Sequence, residues 1–240
     1  MDGRIALVTG ATRGIGRAVA LAYAKAGAHL ILTGRTSGAL TELDDEIRKL
    51  TGKADGATLI TLNLKHGDKI DALGPTLYTR FGKLDVLVSC AGILGTLSPI
   101  GHITTDGWAD VMEINLTANL RLIRTLAPLL ERSDAGRAIF VTSGAAQARN
   151  AYWAPYAVSK AGLDALVKTY AQEVANTNVR ANLLSPGPIR TAMRAKAFPG
   201  EDAATLRTPE DIAPTFVKLA DPALTENGRI YDFKTAGWLP

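Results

Sequence analysis

The sequence predicts an α/β protein: a single doubly wound domain, with helices on both faces of a mainly parallel sheet of about seven strands. Three observations lead there. Short β-rich runs alternate with helix-period runs along most of the 240 residues, the order expected of β-α-β units. Most strand-like runs are nearly continuous in apolar residues, as strands covered on both faces should be. A glycine-rich turn, TGATRGIG, joins the first strand to the first helix.

The strand-like runs fall at residues 5–9, 29–33, 58–62, 84–89, 137–142, 179–184 and 229–233. Between them, Ile15, Ala18, Val19 and Ala22 recur at i, i+3, i+4, i+7, and so do Leu163, Leu166, Val167 and Tyr170. Thr208, Pro209 and Glu210 read as an N-cap, a first-turn proline and an early acid. Pro214 should weaken or bend the helix that follows. No repeat, low-complexity tract or linker interrupts the pattern, so residues 1–240 are read as one domain. In such a sheet, ligands bind beyond the carboxyl ends of the strands.

Composition narrows the function classes. Apolar residues make up 47%, enough to bury a sizeable core. The net charge of +4 is mild and its lysines and arginines are scattered, which argues against a nucleic-acid partner. One cysteine excludes an intramolecular disulfide framework and fits a reducing compartment. His29, His66 and His102 are isolated, so no metal site is expected. A strand begins at once and no apolar run approaches about 20 residues. No membrane association is expected, and the cytoplasm is the expected location.

The TGATRGIG turn is read as a phosphate cradle. Gly10 allows a tight turn, Gly14 lets the backbone approach a pyrophosphate, and Gly16 permits close helix–strand contact. The helix starting near Ile15 offers free N–H groups and the positive end of its dipole. The spacing is G-x-x-x-G-x-G. Gly10, Thr12, Arg13, Gly14, Ile15 and Gly16 are thus expected to hold a dinucleotide in a Rossmann-like fold. The second strand ends ILTGRTS, without the acid that usually bonds ribose hydroxyls. Arg13 and Arg35 can instead flank a 2′-phosphate, so NADP(H) is expected rather than NAD.

Further on stands YAVSK. On a helix, Tyr156 and Lys160 share a face. The Lys160 cation is expected to favour the phenolate and lower the tyrosine pKa. Ser143, just after the strand AIFVT, can donate a hydrogen bond to a substrate oxygen. Asn115, in MEINLTAN, is expected on a long helix.

Together these segments resemble the short-chain dehydrogenase/reductase family over nearly the full chain. The resemblance rests on TGATRGIG, Ala91-Gly92, Asn115, Ser143, YAVSK and SPGPIRT at 185–191. It implies an oxidoreductase that moves hydride between NADP(H) and a carbonyl or secondary alcohol. Tyr156 would be the general acid/base, Ser143 would orient and polarise the carbonyl, and Lys160 would tune Tyr156 and hold the ribose. Asn115 would support a proton-relaying water. Ala91 and Gly92 would border the dinucleotide, and Pro186, Gly187, Ile189 and Thr191 would contact the nicotinamide. A homodimer or homotetramer is implied as well.

A narrower resemblance, to the YciK-type subgroup of bacterial reductases, begins at Arg190. Here a run spanning about 187–208 stands as the substrate loop. Met193, Phe198 and Pro199 are its expected apolar walls. Arg190, Arg194 and Lys196 either attract an anionic substrate, such as an acyl-carrier thioester, or form a solvated basic loop. Three features depart from the family pattern: Ser89-Cys90 replaces Asn-Asn, Asn63 replaces an aspartate that bonds adenine, and the tail lacks the usual glycine pair. These departures leave a second reading open, a catalytically weak dinucleotide-binding regulatory or interaction protein. Cys90 itself reads as a small packed residue, not a nucleophile.

Overall fold

The computed structural model describes residues 1–148 and 150–240. Strands β1 (Ile5–Thr9), β2 (His29–Gly34), β3 (Thr58–Thr61), β4 (Val86–Ser89), β5 (Arg137–Val141), β6 (Arg180–Ser185), β7 (Ile230–Asp232) and β8 (Gly237–Trp238) form one sheet. Their order is β3-β2-β1-β4-β5-β6-β7-β8, parallel throughout except for the last pair. The sequence reading gave about seven strands. The eighth is a two-residue return of the tail, too short to carry a pattern, held by Trp238 standing edge-on to Tyr231 at 5.3 Å.

Alternation along the strands sorts the core into two layers. Leu7, Ile31, Leu87, Ala138 and Phe140 point to one face. There they meet α4 (Leu73–Phe81), α6 (Ala118–Glu131) and α7 (Ala154–Glu173) through Leu77, Leu122, Leu126, Leu163 and Val167. Ala6, Val8, Leu30, Leu32, Val86, Val88 and Ile139 point to the other. They are covered by α1 (Gly14–Lys25), α2 (Ser37–Thr51) and α9 (Pro209–Leu219) through Val19, Tyr23, Leu40, Leu43, Ile212 and Phe216. Both faces are buried, which is why the strands read as unbroken apolar runs.

The remaining helices are α3 (Gly67–Asp71), α5 (Thr105–Met112) and α8 (Ala192–Ala197). The N-terminus of α9 is closed by a reciprocal capping box between Thr208 and Asp211. Pro214 lies inside α9, which runs on past it to Leu219. The expected long helix around Asn115 is not continuous. A π-helical turn, Glu113–Thr117, separates α5 from α6. Such turns widen the backbone spiral and free carbonyls from the ordinary ladder. Among the described residues, no helix is long and apolar enough to cross a membrane.

Candidate active site

β1 and β4 are neighbours, yet the chain leaves β1 towards β2 and β3 and leaves β4 towards β5. The loops beyond their carboxyl ends therefore part and leave a crevice. A cavity of about 310 Å³ occupies it. Sheet order puts Arg35, at the end of β2, on one side and Ser143, at the end of β5, on the other.

The cradle is built by close backbone approach. A Cβ on Gly10 would lie 2.9 Å from the Cα of Ala91, and a Cβ on Gly16 would lie 2.4 Å from the carbonyl oxygen of Gly10. Only glycines let the β1–α1 turn sit against β4 and the helix start against the turn. Arg13 caps α1 with extended backbone and no side-chain cap bond, and no acid stands in the first turn. The helix thus presents unspent N–H groups with no carboxylate to oppose an anion. Arg13 and Arg35 line the same end. Neither has an ion-pair partner among the described residues, whereas Arg17 is paired with Glu46. Thr12, Ile15, Asn63, Ala91, Gly92, Pro186, Gly187, Ile189 and Thr191 also line the cavity. The donor set, the glycine contacts and the free guanidinium groups fit a dinucleotide carrying an extra phosphate.

At the other end, two successive residues at the end of β5 are tied to α7. The Lys160 ammonium donates to the Val141 carbonyl at 2.8 Å. The Thr142 hydroxyl donates to the Asp164 carboxylate. Ser143, the next residue, lines the cavity together with Tyr156, and its hydroxyl is close enough to pull the Tyr156 phenol down. Tyr156, Lys160 and Asp164 lie four residues apart, so one buried face of α7 carries all three.

Burial pushes the Tyr156 phenol above its ordinary value, with the Ser143 hydroxyl pulling the other way. This corrects the sequence expectation of a lowered tyrosine pKa: loss of solvent sets the direction, and the Lys160 nitrogen stands 5.8 Å from the ring centre. Burial also lowers the Lys160 ammonium to about 8, with the Asp164 carboxylate opposing. The Asp164 carboxyl is itself raised by burial, against the Thr142 hydrogen bond.

Asn115 stands in the π-turn and does not line the cavity. Its carboxamide is fully buried: it accepts from Ile93 N (2.9 Å) and donates to Ile93 O (2.9 Å) and to the Ser159 hydroxyl (3.0 Å). It therefore clamps the segment after β4 to α7. A Cβ on Gly92 would lie 3.3 Å from Asn115 Oδ1 and 3.7 Å from Lys160 Nζ, so the missing side chain keeps the space between them open.

Cys90 is half-buried at the cavity wall, and burial pushes its thiol up to about 12 against the Lys160 cation. A thiol so placed is not a nucleophile at neutral pH. Ser89 takes up the cross-strand bonding: its hydroxyl donates to Asn119 Oδ1 at 2.6 Å and lies 3.4 Å from that of Thr9. Thr9 in turn accepts from Ala91 N (3.2 Å), and Asn119 donates to the Asn115 carbonyl (2.8 Å).

The substrate loop is closed at its base, where Arg190 N donates to Arg207 O (2.8 Å). Met193, Arg194 and Ala197 line the cavity; Arg190, Lys196 and Pro199 do not. Phe198 stacks outside, 5.6 Å from Trp153. Sequence reasoning missed Trp153, Asp164 and Asn119. Asp164 and Asn119 were detectable as buried-face positions four residues beyond Lys160 and Asn115. Trp153 gave no signal, because the backbone at Tyr152 (φ 74°) turns it back over Tyr156.

Comparison with known proteins agrees with this geometry. Residues 4–202 match the short chain dehydrogenase family. The chain is 36% identical over 233 residues to the oxidoreductase YciK of Escherichia coli K12, covering 97% of this chain and 92% of that one. It is 33% identical over 231 residues to the 3-oxoacyl-acyl-carrier-protein reductase FabG of Vibrio cholerae serotype O1, covering 92% and 91%. A short chain dehydrogenase of Escherichia coli CFT073, solved in complex with NADPH, superposes with a TM-score of 0.92 at 36% identity, covering 97% of each chain.

Proposed function

Because the chain belongs to the short chain dehydrogenase family, we propose that it is an NADP(H)-dependent oxidoreductase interconverting a carbonyl and a secondary alcohol, with Tyr156 as general acid/base. One observation carries the reading: Ser143, Tyr156 and Lys160 line the same cavity as Arg13 and Arg35, two arginines with no ion-pair partner among the described residues.

When bound, the dinucleotide supplies or accepts the hydride. The turn from Gly10 to Gly16 and the start of α1 would hold its pyrophosphate, and Arg13 and Arg35 its 2′-phosphate. Asn63 would border the adenine. Ala91 and Gly92 would border the middle of the dinucleotide, and Pro186, Gly187, Ile189 and Thr191 the nicotinamide end. Ser143 donates a hydrogen bond to the substrate oxygen and fixes its position. Tyr156 gives that oxygen a proton in reduction and takes it back in oxidation. A phenol raised by burial holds its proton at neutral pH, which suits the reductive direction. Lys160 places a cation beside Tyr156 and would hold the ribose. Asn115 is a positioning residue that clamps the segment after β4 to α7 beside Lys160. The lone cysteine and the absence of a spanning helix among the described residues support a cytoplasmic location. Family membership supports a homodimer or homotetramer.

The test is Tyr156→Phe. NADPH-dependent reduction across a ketone and aldehyde panel should fall to background while NADPH titration by fluorescence stays near native. Full activity in this variant rejects the assignment. Arg13→Ala and Arg35→Ala should weaken NADPH binding and leave NADH binding nearly unchanged; equal losses for both cofactors reject the role given to these arginines.

A further inference from the structure

The cavity carries a second kind of information at its substrate end. Leu94, Trp153, Met193 and Ala197 make this wall apolar. Among the described residues, no aspartate or glutamate lines the cavity, and the loop contributes one charge to it, Arg194. That charge is already matched. The Arg194 guanidinium donates two parallel hydrogen bonds to the Glu201 carboxylate, Nε to Oε2 and Nη2 to Oε1, both at 2.6 Å. The two side chains are 24% and 26% exposed, so the pair is largely withdrawn from water. The guanidinium carbon also lies 3.7 Å from the centre of the Phe198 ring. Phe198 packs against Trp153 at 5.6 Å, and Trp153 stands edge-on to Tyr156 at 5.9 Å. One stack therefore runs from Glu201 through Arg194, Phe198 and Trp153 to the Tyr156 ring.

We propose that this end of the cavity selects an uncharged carbonyl compound bearing a flat apolar group, and that Arg194 latches the loop instead of receiving an anion. The inference rests on the reductase reading and names its substrate class. An anionic substrate has to pull Arg194 from a two-point partner while approaching the Glu201 carboxylate. A neutral flat group keeps the pair and gains contact with Trp153. The Arg194 hydrogen bonds hold the Glu201 carboxyl below the usual range, so the pair persists across physiological pH. Arg190 and Lys196 are exposed and off the cavity wall, so neither supplies a substitute anion receptor.

Acetophenone and 4-acetylbenzoate test it, since they differ by one carboxylate remote from the carbonyl. Two readouts are needed: kcat/KM with NADPH, and Kd with NADP⁺ bound, followed by tryptophan fluorescence with Trp153→Phe as the control for signal origin. Acetophenone should be favoured in both by about tenfold or more, the scale of one charge-assisted hydrogen bond given up. Glu201→Gln frees the Arg194 charge and should narrow the gap by about tenfold, with a melting curve to show that the variant is folded. A native preference for 4-acetylbenzoate, or equal values for the two, overturns the proposal without need of the variant. So does a folded Glu201→Gln protein with the native ratio, or failure of both ketones to bind a protein that binds NADP⁺. If acetophenone binds with the expected preference yet is not reduced, the substrate-end inference stands and the reductase reading fails.

Discussion

Replacing Gly16 by alanine should damage the protein twice over, and the size of the damage follows from distances. The new Cβ would lie 2.4 Å from the Gly10 carbonyl oxygen, 2.9 Å from its carbon and 3.3 Å from Cys90 Cβ. Favourable non-bonded contact begins at about 3.5 Å, so α1 must move by roughly 1 Å relative to the turn. Overpacking of this kind costs about 1–3 kcal/mol. For a chain of this length that lowers Tm by about 3–10 °C. The same displacement carries the free N–H groups of α1 away from the pyrophosphate they would meet. Losing one charge-assisted hydrogen bond costs about 1.5–3 kcal/mol, so NADPH Kd should rise at least about tenfold. Gly38→Ala is the control: it lies in α2, and a Cβ there has nothing within 4 Å. It should leave both quantities at or slightly above native values. The assays are a thermal melt without cofactor and a fluorescence titration with NADPH. A Gly16→Ala protein with native Tm and a Kd within about twofold of native would refute the close-approach reading of the turn.

Asp164→Asn keeps an acceptor for Thr142 but removes the carboxylate that supports the Lys160 charge. The alkaline limb of the kcat–pH profile should move towards acid while KM for the ketone stays near native; an unmoved limb reduces Asp164 to packing. The buried Lys160 ammonium, lowered to about 8 from an ordinary 10.5, also affects stability. Between those values the unfolded chain binds more protons, so this group's contribution to stability rises with pH from about 8 towards 10.5. Lys160→Met should flatten the slope of Tm against pH from about 8 to 9.5. Ser89→Ala leaves Asn119 Oδ1 buried without its donor and should cost about 1–3 kcal/mol in urea unfolding; a loss below about 0.5 kcal/mol shows that the hydroxyl network does not hold β4. Cys90→Ser should retain most turnover, and native Cys90, its thiol near 12, should react only slowly with a maleimide at pH 7.5; near-complete loss of turnover in a folded, cofactor-binding variant contradicts the packing role.

Much of the site was legible because its chemistry is local in sequence. Tyr156 and Lys160 are one helical turn apart, the cradle is seven consecutive residues, and the strands carry their burial on both faces as unbroken apolar runs. Periodicity located the strands, glycine spacing the turn, and the four-residue spacing the Tyr156–Lys160 pair, whose roles came from the family resemblance. Other parts were not local. The π-turn at Glu113–Thr117 has no propensity signal, since the widened turn is held by Asn119 and by Ile93, 22 residues before Asn115. The eighth strand is two residues long and exists because Tyr231 and Trp238 pack together.

By itself the sequence determined the doubly wound order and the glycine-rich turn, and it put Tyr156 and Lys160 on one helix face as candidate proton-handling groups, because each depends on neighbours within one helix or one turn. Tertiary structure decided three things the sequence left open or had reversed. Burial raises the Tyr156 phenol instead of leaving it lowered. Ser89, with Thr9 and Asn119, replaces the missing asparagine bonds around Cys90. Arg194 is matched by Glu201 and stacked on Phe198. Each turns on which groups meet, and how much water is excluded where they do, and that is set by the packing of distant segments.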